Sequence, residues 1–213
     1  MRVLRAAMVV LVSLAAAGAA QAQSAAYCEP KPGLRLLYTD RAYLIEPKAA
    51  NGPAMVYSYT LQGMQFDRHV DRYGQFLFDD GGDRWAFESN PGGLAQFWPL
   101  RQGGKLGLEK IDRNTRNHAL VSLTVIGTEP VQVAGRTYVT WKVRRFDRLE
   151  EKGTFEQFLW YAQDLCTLAA FTDSQQRRID LLRILKPGDR DYKRPVVRRQ
   201  GRLYFSDTNT PVK

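Results

Sequence analysis

Cysteine and histidine are the scarce residues of this 213-residue chain, with two of each, and no apolar run is long enough to cross a bilayer. His69 and His118 both fall inside strand-like alternation, which leaves Cys–His nucleophile chemistry without a natural set of partners. The chain has no G-x-S-x-G elbow, no H-E-x-x-H helix and no P-loop, so the usual serine hydrolase, zinc protease and nucleotide motifs are missing. Two histidines and two bridged cysteines make a poor zinc set, because disulfide sulfur is not a thiolate ligand. No catalytic residue, metal ligand or cofactor is expected from the pattern.

What is present begins at the N-terminus. Arg2 and Arg5 precede an apolar run from Ala6 to Ala20, and Ala20-Gln21-Ala22 has the small-x-small form of a leader cleavage site. The run is shorter than the roughly 20 residues a spanning helix needs. Tyr27 before Cys28 does not suit a lipidation site, so soluble export into the periplasm or beyond is expected. The expected division is a signal peptide over 1–22, one β domain over 23–187 and a basic segment over 188–213. Loss of Arg2 and Arg5 lowers the formal net charge from +9 to +7, a balance that favours long-range attraction to anionic envelope surfaces. An exported chain is out of reach of nucleic acid, and the mature part carries no transmembrane span. The sequence does not set the oligomeric state.

In an oxidising compartment an even cysteine count reads as a disulfide, here Cys28 to Cys166. It would close nearly the whole domain and, in the chain-entropy model, is worth up to roughly 4–5 kcal/mol. A redox pair or an intermolecular bridge is the alternative, although no C-x-x-C spacing exists to depress a thiol pKa.

From Leu34 onward the pattern is mostly of period two, broken by turn residues. Strands are expected at 34–38, 42–46, 54–62, 65–73, 75–78, 84–88, 106–111, 118–128, 131–133, 137–146, 153–160, 165–172 and 178–185. Turn chemistry stands between them, as at Asn51-Gly52-Pro53, Ala134-Gly135-Arg136 and Lys186-Pro187-Gly188-Asp189. There is no room for crossover helices, and Pro99 ends any helical turn begun at Leu94. The fold class is therefore mainly β: an antiparallel meander curled into a barrel, half-barrel or sandwich, with little helix after the leader.

Three groups of side chains are candidates for function. Arg190, Lys193, Arg194, Arg198, Arg199 and Arg202 form a basic surface after Lys186, suited to anionic headgroups or an acidic partner, or simply to a charge-protected hairpin turning at Gln200-Gly201. Asp79, Asp80, Asp83 and Glu129 are the carboxylates of an alternative hydrolase reading, although Asp80-Gly81-Gly82-Asp83 is first a hairpin turn. Trp98 and Tyr161, next to irregular backbone at Pro99 and Ala162-Gln163, are the best aromatic candidates for a ligand groove; most other aromatics read as core.

Phe97-Trp98-Pro99-Leu100 with Gly103 and Lys105, the run from Gly127 to Tyr138, and Trp160-Tyr161-Ala162 resemble motifs of uncharacterised bacterial exported β-domain proteins. Those motifs are an aromatic-Pro-Leu-x-x-Gly element, E-x-V-x-V-(P)-A-G and W-Y-A-P. This chain departs from them where Val133 meets Ala134-Gly135 without a proline, and where Gln163 and Cys166 replace proline and glycine. The resemblance implies a mainly β envelope domain akin to the LolA/LolB-like open barrels that shuttle lipids and lipoproteins, with no implied activity. The combined expectation is a non-enzymatic exported binding or scaffold protein for a lipid, glycan or envelope protein. A carboxylate hydrolase and a structural subunit of an envelope complex are the alternatives.

Overall fold

The structure is a computed structural model that describes residues 24–39, 44–48, 54–61, 64–71, 73, 85–87, 93–112, 115–149, 153–199, 202–205, 208 and 210–211. The leader, the 75–78 strand, Asp79, Asp80, Asp83 and the Gln200-Gly201 turn lie outside the described residues.

The fold is mainly β. An antiparallel sheet is built from β1 (Arg35–Tyr38), β2 (Leu44–Pro47), β3 (Ala54–Leu61), β4 (Met64–Asp71), β5 (Trp85–Phe87), β6 (Lys105–Asp112), β7 (His118–Val133), β8 (Arg136–Leu149), β9 (Gly153–Ala162), β10 (Thr167–Thr172) and β11 (Arg178–Leu185). Its order is β4-β3-β2-β1-β11-β10-β9-β8-β7-β6-β5. Two meanders, β1 to β4 and β5 to β11, are thus joined where β1 pairs with β11. Among the described strands β4 and β5 are consecutive in the chain yet stand at opposite edges. Laid flat, eleven strands would be about 48 Å wide. That is close to the full reach of the connection from Asp71 to Trp85, roughly 46–50 Å when extended. A connection with any slack therefore requires the sheet to curl, and it does so without closing, as a half-barrel. The described helical content is two short 3-10 turns, Leu94–Phe97 and Gln163–Leu165.

Expected strands at 118–128 and 131–133 are one continuous β7 of 16 residues. Pro130 interrupts the sequence pattern but not the strand, because the last β6 pairing is Lys105 with Thr124 and the missing N–H at Pro130 faces an unoccupied side. A bulge between Val125 and Gly127 shifts the β7–β8 register. Such a shift turns alternate residues over. Val121, Leu123 and Val125 are buried on the inner face, whereas Glu129, Val131 and Val133 face the opposite side. The end of the β7–β8 hairpin packs against β10 and β11 in consequence. The hairpin turns at Ala134 and Gly135, with φ of 50° and 78°. Both central residues of such a turn need positive φ, which suits Gly135 and not Ala134.

The inner face is filled by one contiguous cluster that includes Tyr38, Tyr57, Phe97, Leu100, Trp141, Leu159, Tyr161, Leu168 and Phe171. The N-terminal segment helps to close it. Ala25 is fully buried and exchanges two backbone hydrogen bonds with Leu100, at 3.1 and 2.8 Å. The residues after Lys186 form β12 (Val196–Arg199), β13 (Arg202–Phe205) and β14 (Thr210–Pro211), a separate three-stranded sheet. Tyr192 and Val196 pack against Leu37 and Leu185 of the main sheet.

Candidate functional site: an aromatic rim beside the disulfide

The two aromatic residues singled out in the sequence lie together. Tyr161 ends β9 pointing inward, opposite Leu168 and Trp141. Trp98 follows the Leu94–Phe97 turn, where a cis Trp98–Pro99 peptide leads into Leu100. Their ring centroids are 5.0 Å apart at an edge-to-face angle of 73°. Tyr27 adds a third ring, 5.3 Å from Trp98 and 4.6 Å from Tyr73. The Trp98 indole N–H donates to the Tyr73 carbonyl at 3.5 Å.

The cluster is layered. Tyr161 has no exposed surface, and Tyr27, Tyr73 and Trp98 are half-buried above it. Burial, and after it the neighbouring Tyr27, push the Tyr161 hydroxyl above its ordinary pKa. Of these rings, Tyr27, Tyr73 and Trp98 reach solvent, and Tyr161 supports Trp98 from below.

Cys28 and Cys166 are joined in a disulfide across 138 residues, with Cα atoms 5.1 Å apart. Cys166 lies just before β10 rather than inside it, in left-handed backbone with φ of 53°. The bond ties the segment that carries Tyr27 to the β9–β10 turn. Together with the Ala25–Leu100 bridge, it fixes the rim at two points.

A second cluster has no counterpart in the sequence reading. On β8, Trp141, Val143, Arg145 and Asp147 alternate onto the inner face and all are buried. Arg145 donates to both Asp147 oxygens, at 2.8 Å from Nε and 2.6 Å from Nη2, and Lys110 Nζ of β6 donates at 2.8 Å. Burial alone would raise the Asp147 pKa, but the hydrogen bonds and charges of Arg145 and Lys110 outweigh it and hold the carboxyl below its usual range. Gln157, directly across from Arg145, donates to the Thr172 carbonyl at 2.7 Å, while its Oε1 has no hydrogen-bond partner. The only sequence signal was phase: charged residues stand where the alternation of β8 points inward.

Glu129 sits on the outer face. Its carboxylate meets Lys142 at 3.0 Å and Arg178 at 3.6 Å, and both cations flank the Trp160 ring, at 5.0 and 4.5 Å. The Trp160 N–H directs its dipole at Glu129 without reaching ordinary hydrogen-bond geometry. That dipole, helped by Lys142 and Arg178, lowers the Glu129 pKa against the opposing effect of burial. A carboxylate held ionised by two cations suits fastening the β7–β8 hairpin to β11 better than proton transfer.

The basic segment is partly tied down. Asp191 accepts from Arg194 at 2.7 Å and from Arg183 at 3.0 Å, and these two arginines lower its pKa. Tyr192 donates to the Gly33 carbonyl at 2.6 Å. Arg194 is thus engaged within the fold, whereas Arg190 and Lys193 are exposed. Arg198, Arg199 and Arg202 stand on β12 and β13, with Arg199 and Arg202 in register, and their side chains lie outside the description.

No family model and no curated protein matches the chain. Among solved structures, the chain is similar to the hypothetical lipoprotein YmcC from Escherichia coli, with 11% identity, 78% of this chain and 90% of that one covered, and a TM-score of 0.40. A protein from Bacteroides fragilis inferred to be exported, with a YmcC-like fold, is 13% identical, covering 76% of this chain and all of that one at a TM-score of 0.41. An inferred lipoprotein from Parabacteroides distasonis is 12% identical, with the same coverage and a TM-score of 0.41.

Proposed function

We propose that the protein works outside the cytoplasm as a non-enzymatic binding or scaffold protein. Its partner, an envelope lipid, glycan or protein, is engaged at the Tyr27–Trp98 rim. The observation that carries the proposal is the layering of half-exposed rings over buried Tyr161, fastened by the Cys28–Cys166 bond. Aromatic side chains with one face open and one face supported lose little conformational entropy on contact and bury large area. The leader pattern and the disulfide support export, and exposed Arg190 and Lys193 would add attraction to anionic envelope surfaces.

Because the inner face is packed, engagement at the surface is favoured over carriage of a lipid inside the half-barrel. The test is native mass spectrometry of protein taken from an envelope fraction, with wild type beside Trp98→Ala. The expected result is a co-purifying mass that the variant loses while keeping its circular dichroism. A bare protein mass together with no binding to envelope lipid, glycan or protein would count against the proposal. N-terminal sequencing should begin near Gln23; an uncleaved leader with two alkylatable thiols would remove the compartment on which the reading depends.

A further inference from the structure

On the outer face of β6, β7 and β8 three side chains stand in one cross-strand row. Glu109 is in register with Leu120, and Leu120 with Arg148. With Leu149 and His118 they line a half-open groove of about 610 Å³. Its features differ from the surrounding sheet. Leu120 is 52% exposed, although it sits in mid-row between a carboxylate and a guanidinium. Among the described residues Arg148 makes no ion pair, whereas Arg144, further along the same outer face of β8, is neutralised by Glu156 at 2.5 Å. Glu109 is turned to His118, with Oε1 2.7 Å from Nδ1.

We infer that this groove binds an amphiphile with an anionic head, a carboxylate or a phosphate ester on an alkyl or acyl chain. The head lies on Arg148 and the chain lies along Leu120 and Leu149. Two neighbouring strand spacings separate Glu109 from Arg148, about 10 Å. The Glu109 carboxylate therefore repels an anion from the β6 side and directs the head to β8, where the guanidinium offers paired N–H donors. The groove thus sets an apolar strip, Leu120 and Leu149, beside a guanidinium, the two surfaces that an anionic amphiphile covers together. The groove is a different surface from the Trp98 rim and does not depend on it.

Isothermal titration with dodecanoate and with dodecyl phosphate, below their micelle concentrations, tests the inference on the mature-length protein. Dodecyltrimethylammonium, acetate and inorganic phosphate serve as comparisons. Either anionic amphiphile is expected to bind, and which one does so distinguishes a fatty acid from a phospholipid-like source. Arg148→Gln and Leu120→Ser should each weaken binding about tenfold, the loss of one charge-assisted contact or one apolar contact. Trp98→Ala should leave it unchanged. The inference fails if neither anionic amphiphile binds or if Arg148→Gln binds as well as wild type. It also fails if the cationic amphiphile binds equally, or if acetate or phosphate alone binds as tightly. Loss of binding in Trp98→Ala with none in Arg148→Gln would move the ligand to the aromatic rim and equally overturn it. Circular dichroism of the variants, whose substituted side chains are exposed, checks that the fold is kept.

Discussion

The inner face of the sheet is made in two ways. Around β9, β10 and β11 it is apolar and aromatic, with Leu159, Tyr161, Leu168, Phe171 and Leu181 buried and a disulfide-bound segment laid over its edge. Around β6 and β8 the same face carries Lys110, Arg145 and Asp147, equally buried and bonded to one another. The apolar part is stabilised by area removed from water, which is non-directional and tolerant of exchange. The ionic part depends on geometry, since desolvating the charges is offset only while each bond is kept. One half of this face is therefore forgiving and the other brittle.

The largest expected effect follows from that contrast. Asp147→Ala leaves two buried cations without the carboxylate they share and should cost about 3–5 kcal/mol, read as a shift of the urea midpoint. Replacing Lys110, Arg145 and Asp147 together with Met, Met and Leu should be neutral or stabilising; a triple variant as unstable as the single one would dissolve the distinction. The pH dependence has a definite sign. A carboxyl with its folded pKa depressed contributes stability that is present above the unfolded value of about 3.9 and is lost as pH falls through the folded one. Asp147→Asn should therefore flatten the acid limb of the stability profile, and an unchanged limb would mean that other carboxylates set it.

A smaller effect is expected on the apolar side. The Cys28→Ser and Cys166→Ser double variant should lose about 2–4 kcal/mol. Hydrogen exchange should quicken first in residues 24–34 and 93–100, where the Ala25–Leu100 bridge is, while β7 and β8 stay protected. Uniform loss of protection would mean that the two parts of the face unfold as one. The smallest effect concerns the hairpin that wraps the outer side. Ala134→Asn, with a residue better suited to φ of 50°, should raise stability by about 0.5–1 kcal/mol, seen as a small rise in Tm. No change would mean that the turn is not strained in solution.

Much of the strand plan was legible, because half-buried antiparallel strands alternate and their turns carry Gly, Pro, Asn and Asp. Leu34–Tyr38, Ala54–Gln62 and Arg178–Leu185 lie within a residue of β1, β3 and β11. β7 was divided in two because Pro130 reads as a breaker when the absence of a β6 neighbour is unknown. Trp98 and Tyr161 were recognisable as aromatics beside irregular backbone, but not their contact or the burial of Tyr161. The Lys110–Arg145–Asp147 cluster was missed, since charged residues in a strand read as solvent-facing until a bulge and a register assign their side.

Composition and order of residues by themselves determined the β class, the turn positions and the two cysteines available to pair, because these rest on local preference and counting. Tertiary structure alone decided that β1 pairs with β11, that the rings of Tyr27, Trp98 and Tyr161 meet, and that Arg148 is exposed while Arg145 is buried. Those outcomes depend on which faces are brought together by curl, bulge and long-range pairing, and no local pattern encodes a neighbour more than a hundred residues away.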